Sequence, residues 1–427
     1  MPGRLMGFGG AAMRILVRLL FPVLLLALSG CSTVQAQLSP SVAESQPRRT
    51  LRASLYPYIP DAGGAYLAIE EAFERANPSI DLQIHLLSAE YYDHTPGRRS
   101  ILNDDADVYE IDSVFLADFI EAEKIVPLGP DFEDLAPTLV PFARAIATDK
   151  GQLYGMPHWL CGNFLIYRSG DAAIEGVRTL ADLERVLHAN SAEPRWLIAD
   201  FSGRSTLGEM YLDAAMDAMR SREVALQAVM HPSLDSRLVQ AMARGVALVR
   251  PGFGRDSDYH DRLGFYARQF ARGEGRAFVG YSEQLFYALS ETMLSCRREE
   301  NCLTTEQVRV AEWPLADAGS SPIAWVDMLV IDADADEQTR SDASRFIRFM
   351  AEPTTYRLLL LPQWPNPPRY LLPAREDLYA DPELVAAAPL YAQFRRRLAN
   401  ATPVTAEGLN QRLREAGAQL DAVLPPR

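Results

Sequence analysis

Cys161 stands in LYGMPHWLCGNFLIYRSGD among apolar and aromatic neighbours, and its status depends on the other three cysteines of the chain. Cys296 and Cys302 flank the polar segment RREEN. In an oxidising compartment two cysteines this close most simply close a short loop as a disulfide. Cys31 follows the N-terminal apolar run and has a separate use, taken up below. Cys161 is left unpaired, either as a buried structural residue or as a reactive thiol.

Several carboxyl and aromatic residues sit where chemistry is done. Asp112 and Ser113 close the apolar run VYEI, and Asp112 is suited either to cap the turn that follows or to face a ligand. Asp327 interrupts the run IAWVDMLV just after Trp325, where an unpartnered carboxylate costs several kcal/mol to bury. Glu283, in FVGYSEQLF, follows a strand pattern and opens a helix, which fits a helix-dipole role and a cleft base equally. Tyr56 and Tyr58 follow the first strand pattern and Tyr91 and Tyr92 the second, the strand ends where α/β proteins bind ligands. An acidic, aromatic-lined cleft attracts a small cationic heteroaromatic molecule, each cation–π contact contributing about 0.5 to 2 kcal/mol.

Composition narrows the alternatives. The 427 residues carry a net charge of −14, with 48% hydrophobic and 23% charged residues, an ordinary globular balance and not that of a nucleic-acid binder. GxxxxGK[ST] is absent, and GEG at Gly273 to Gly275 lacks the third glycine and preceding strand of a dinucleotide site. The six histidines form no HExxH pair or short Cys/His cluster, so no metal is expected. No GxSxG elbow occurs. No obligate protein partner is predicted.

These residues need strands to place them. Strand patterns fall at 51–56, 80–87, 108–111, 164–167, 196–199, 277–280 and 323–330, and helical patterns at 65–76, 114–123, 179–189, 205–220 and 234–249, with Ser205 as a cap. The segment from 336 onward reads mostly as helix. Such alternation favours parallel α/β layers. Without an interdomain spacer, it suits two lobes with a ligand between them: lobe 1 from 50–159 and 326–375, lobe 2 from 160–325 and 376–427.

The N-terminus reads as an address. Arg4, Arg14 and Arg18 precede an apolar run at 19–28, about ten residues where a membrane-spanning helix needs about twenty. Leu28-Ser29-Gly30-Cys31 resembles the lipobox of bacterial lipoproteins, so residues 1–30 are expected to be a signal peptide and Cys31 to carry lipid. The mature chain would have a net charge of −17. Polar residues 31–49 suit a flexible tether. An exported protein anchored in the bacterial envelope by lipid alone is the expectation, and Ser32 after Cys31 leans toward the periplasmic side of the outer membrane.

Five segments, LYPYIPD, DVYEIDSVFL, LYGMPHWLCGNFLIYRSGD, GEGRAFVGYSE and RYLLPAR, resemble thiaminase I (thiamine pyridinylase) in the same order. The resemblance covers the chain from about Leu51 to its C-terminal helices. It implies an α/β, two-lobed fold like type II periplasmic binding proteins, with the active site in the interlobe cleft. It implies displacement of the thiazole of thiamine by an amine or thiol, without a cofactor, through a covalent cysteine–pyrimidine intermediate. Cys161 then matches the nucleophile and Glu283 its general base. Asp112 and Asp327, with Ser113, match the groups around the aminopyrimidine, and Tyr56, Tyr58, Tyr92 and Tyr281 the ring-contacting tyrosines. Trp325 stands where a tyrosine is expected, keeping the stacking face without the hydroxyl. Tyr259 or Tyr266 fills a further tyrosine position, and Tyr91 competes with Tyr92 for another. A lipid-anchored thiamine receptor of an importer, with Cys161 inert, and a hydrolase of aminopyrimidine derivatives are the alternatives.

Overall fold

An apolar run broken before Asp332 only by Asp327 makes the longest strand among the described residues, Ile323–Asp332, and the largest of three sheets is built around it. The structure is a computed structural model, describing residues 47–87, 105–188, 196–252, 264–295, 303–362 and 365–425. Tyr91, Tyr92, Tyr259 and all cysteines except Cys161 lie outside the described residues. Among the described residues, no helix is long and apolar enough to cross a membrane.

The larger sheet runs in the order Leu372–Pro373, Met156–Cys161, Ile323–Asp332, Val108–Asp112, Arg49–Leu55, Ile80–Leu86. Arg49–Leu55 pairs parallel with both neighbours, whereas Ile323–Asp332 pairs antiparallel with Val108–Asp112 and Met156–Cys161. The expectation of parallel layers is therefore corrected to a mixed sheet: alternation along the chain does not fix direction when a late strand returns into an early sheet. Every residue of Val108–Asp112 is buried, as a central strand covered on both faces requires. Helix Ala62–Ala76 packs its Ala65, Tyr66, Ile69 and Phe73 stripe inward, Phe73 meeting the Phe346 ring at 5.3 Å.

The smaller sheet runs Val308–Glu312, Phe164–Arg168, Ala277–Gly280, Leu197–Ile198. Only two residues separate Met156–Cys161 in the larger sheet from Phe164–Arg168 in the smaller, so Cys161 sits where the chain crosses between lobes. Helix Arg204–Met219 packs on helix Leu409–Val423. A Cβ on Gly208 would lie 2.2 Å from the Leu413 carbonyl oxygen, so only glycine permits that approach. Ser205 is not the cap of this helix. Gly203, at φ 77°, holds the N-cap and leaves Ser205 inside the first turn.

Candidate active site

Sheet register brings the chemical groups together. Trp325 lies opposite Cys161 on one neighbouring strand, and Asp327 opposite Asp112 on the other. Side chains two apart on a strand share a face, and cross-strand partners share it too, so these four residues form one patch. The register with Met156–Cys161 slips between Asp327 and Met328, an irregularity next to the patch.

Tyr56, Asp112, Cys161 and Trp325 from this side, and Ser205, Glu209 and Tyr281 from the other, line one cavity. Cys161 Sγ donates to Asp327 Oδ2 at 3.2 Å, while Asp327 Oδ1 is buried without a hydrogen-bond partner. Asp112 Oδ1 accepts from Val114 N at 2.8 Å and from Ser113 Oγ at 3.2 Å, so it caps the following turn as well as lining the cavity. Ser113 is fully buried behind the patch, where its Oγ accepts from Val326 N at 3.1 Å and ties the Asp327 strand to the Asp112 turn. Tyr58 packs edge-on against Tyr56, ring centroids 5.4 Å apart. Glu110, Tyr56 and His158 form a buried support: Tyr56 N donates to Glu110 Oε2 at 3.0 Å and His158 Nδ1 lies 2.5 Å from Glu110 Oε1. The Tyr281 hydroxyl donates to Glu209. Tyr266 is buried in helix Phe265–Ala271 and is not among the cavity-lining residues.

The electrostatics follow from burying acids together. Burial, and then the charge of Asp112, push Asp327 well above the usual carboxyl range. Burial also raises the Cys161 thiol well above its usual value, with Asp327, Glu283 and Asp112 adding to the effect. Glu283 is buried and pushed up to about 7, chiefly by loss of solvent. Glu209 is pushed up to about 8, again mainly by burial. Among the described residues, no lysine or arginine lines the cavity.

The structure thus gathers Cys161, Asp112, Asp327, Tyr56, Tyr281 and Trp325 at one place, with Glu283 acting on Cys161 through its charge and Tyr58 and Ser113 one layer behind. Sequence reading missed Ser205 and Glu209. The available signal was a polar stripe, Ser205, Glu209, Asp213 and Asp217, at four-residue spacing along an otherwise apolar helix.

Two lobes of this topology around a ligand cavity define the type II periplasmic-binding-protein class, a fold that recurs in maltose- and acarbose-binding receptors at 15% and 17% identity. Residues 162–295 match the Thiaminase-1 domain, a segment that starts just after Cys161 and contains Ser205, Glu209, Tyr281 and Glu283. The chain resembles thiaminase I well beyond that segment. It is 29% identical to Thiaminase-1 of Paenibacillus thiaminolyticus over 360 residues, covering 81% of this chain and 80% of the relative. The structure of thiaminase I from Bacillus thiaminolyticus superposes with a TM-score of 0.73 at 25% identity, covering 88% of this chain and 100% of that one. Clostridium botulinum thiaminase I in complex with thiamin gives 0.71 at 22% identity, covering 87% and 99%.

Proposed function

We propose that the protein is a thiamine-degrading transferase, a thiamine pyridinylase, which replaces the thiazole of thiamine with an amine or thiol. The observation that carries this reading is the free thiol of Cys161 hydrogen-bonded to a carboxyl group whose second oxygen, Asp327 Oδ1, is buried without a partner. A solute receptor has no need of a thiol there. The bare oxygen suits the amino group or a ring nitrogen of an aminopyrimidine, since a buried polar atom left alone costs about 1–3 kcal/mol.

In this reading Glu283 takes the thiol proton of Cys161, and the sulfur adds to C6 of the pyrimidine. The bond from the exocyclic methylene to the thiazolium nitrogen then breaks, its electron pair neutralising the departing ring. Glu283 passes the thiol proton to solvent as the neutral ring departs; an amine or thiol then adds to the methylene and gives its proton to Glu283, which returns it to the Cys161 sulfur as that sulfur leaves. Asp112 and Asp327 hold the pyrimidine while its charge changes. Tyr56, Tyr92, Tyr281 and Trp325 supply ring faces, with Tyr58 bracing Tyr56 from behind, and no cofactor enters. A bound cation counters the acids that hold the Cys161 thiol protonated, so proton transfer becomes easier once substrate is in place. The purified protein, given thiamine with an aromatic amine or a thiol, should consume thiamine and release free thiazole only when that nucleophile is present. Tight binding with thiamine recovered intact would leave a receptor instead.

Export and anchoring belong to the same proposal. The Arg-flanked apolar run and LSGC support a signal peptide over residues 1–30 and acylation of Cys31, with residues 31–49 as tether. Outer-membrane retention on the periplasmic side and a Cys296–Cys302 disulfide complete it, as do lobes of 50–159 with 326–375 and 160–325 with 376–427. Cys31→Ala should move the protein from the membrane to the soluble fraction.

A further inference from the structure

Glu209 has no task in the reaction outlined above, yet it lines the cavity and accepts the Tyr281 hydroxyl hydrogen bond. It projects from helix Arg204–Met219 one turn beyond Ser205, which also lines the cavity and whose Oγ is buried without a partner. Together with Tyr281 they form the wall facing Tyr56, Asp112, Cys161 and Trp325. If the pyrimidine lies over Cys161 and Asp327, the wall of Ser205, Glu209 and Tyr281 is left for the second ring, which carries the fixed positive charge of the substrate.

We propose that Glu209 is a specificity-determining residue that distinguishes a cationic substrate ring from a neutral one. Its carboxyl group gives up a proton to solvent when a positively charged ring enters, and takes one back when that ring departs neutral. This rests on the reading of the protein as a thiamine-cleaving enzyme. The groups acting on Glu209 are the Tyr281 hydroxyl from the loop after Ala277–Gly280, Asp112 from the end of its strand, and Asp213 one turn along its own helix. Among the described residues no arginine or lysine is one of these groups, so none of them holds the carboxylate ionised. Burial holds the proton on at neutral pH, with a pKa of about 8. A cation at van der Waals distance supplies the missing countercharge. Breaking the methylene–nitrogen bond removes it, because the bonding pair returns to the ring nitrogen. Proton and charge balance: one proton leaves on binding and one returns as the neutral ring forms. Attraction for the leaving ring falls at the same moment, which favours its release.

The test uses the full-length protein carrying Cys161→Ser, so that binding is read without turnover, with and without Glu209→Gln. Glutamine still accepts from Tyr281 but has no charge to gain. Ligands are thiamine and its uncharged 3-deaza analogue, studied by calorimetry in buffers of different ionisation enthalpy. The expected result is close to one proton released per thiamine bound at pH 7 and none for the analogue. Glu209→Gln should abolish the release and weaken thiamine about 10- to 100-fold while moving the analogue less than about threefold. Equal weakening of both ligands, or an unchanged proton count, would overturn the proposal. Failure of the parent protein to bind or cleave thiamine would instead remove the functional reading on which it rests.

Discussion

Cys161 Sγ and Asp327 Oδ2 lie 3.2 Å apart on adjacent antiparallel strands, the thiol donating to the carboxyl group. A nucleophile bonded to an acid and surrounded by others is held in its protonated form. The resting cysteine is therefore quiet, and in the proposed reaction the charge that wakes it comes with the substrate. This guards the thiol against oxidation, which needs thiolate.

Asp327→Asn tests that restraint. Removing the carboxyl charge lowers the Cys161 pKa, so alkylation by iodoacetamide at pH 8 should quicken about tenfold for each unit of fall. Thiamine binding should weaken in the same variant, because an amide cannot match the pyrimidine as the acid does. Alkylation at the native rate would show that the hydrogen bond does not restrain the thiol.

Cys161→Ser should bind thiamine within a few fold of the native protein and lose at least about 10³-fold in kcat, since a hydroxyl does not replace a thiolate as the attacking group. Single-turnover assays with mass spectrometry of the protein should find the pyrimidine adduct on the native chain and none on the variant. Native-like turnover by Cys161→Ser would remove Cys161 from the chemistry.

Much of this patch is legible in the sequence. Asp112 ends an apolar run and Asp327 interrupts one, and a polar residue in such a place has few structural uses, while Cys161 is the odd cysteine of the chain. Their grouping is not legible, because it depends on Ile323–Asp332 returning between two earlier strands in antiparallel register, a long-range choice with no local signature. Glu209 escaped notice because glutamates on helices are usually solvated. Ser205 looks like a cap in the sequence because serine before a helix is a good one, yet Gly203 at φ 77° starts the turn two residues earlier.

As the general base of the proposed reaction, Glu283 should set the lower pH limit of activity. A base works ionised, so kcat/KM should fall as pH drops through about 7, where its pKa lies. The stability effect has the opposite sense. The folded pKa exceeds the usual 4.5, so the folded state binds more protons, and stability declines as pH rises from about 4.5 to about 7 and stays lower above. Glu283→Gln should abolish turnover while raising stability at pH 8 by about 1–3 kcal/mol in chemical denaturation. A variant less stable than native at pH 8 would contradict the buried charge.

Gly208→Ala puts a methyl group onto the Leu413 carbonyl. Forcing the two helices apart should cost about 1–3 kcal/mol or more and displace the wall bearing Ser205 and Glu209, so the melting temperature should fall and KM for thiamine rise together. A change in KM with no change in melting would mean that the helix contact is slack.

The separation of Cys161 from Asp327 by 166 residues also has a meaning in time. The Cys161 strand is hydrogen-bonded on one side to Ile323–Asp332 and on the other to Leu372–Pro373, both made later. At about 5–20 residues per second, roughly 8 to 30 s of synthesis separate the sulfur from its carboxyl partner. Until then the cysteine strand has no neighbour in its sheet, and a ribosome that stops early leaves a thiol without a pocket. The site that the proposed chemistry needs is thus incomplete until Pro373 has been made.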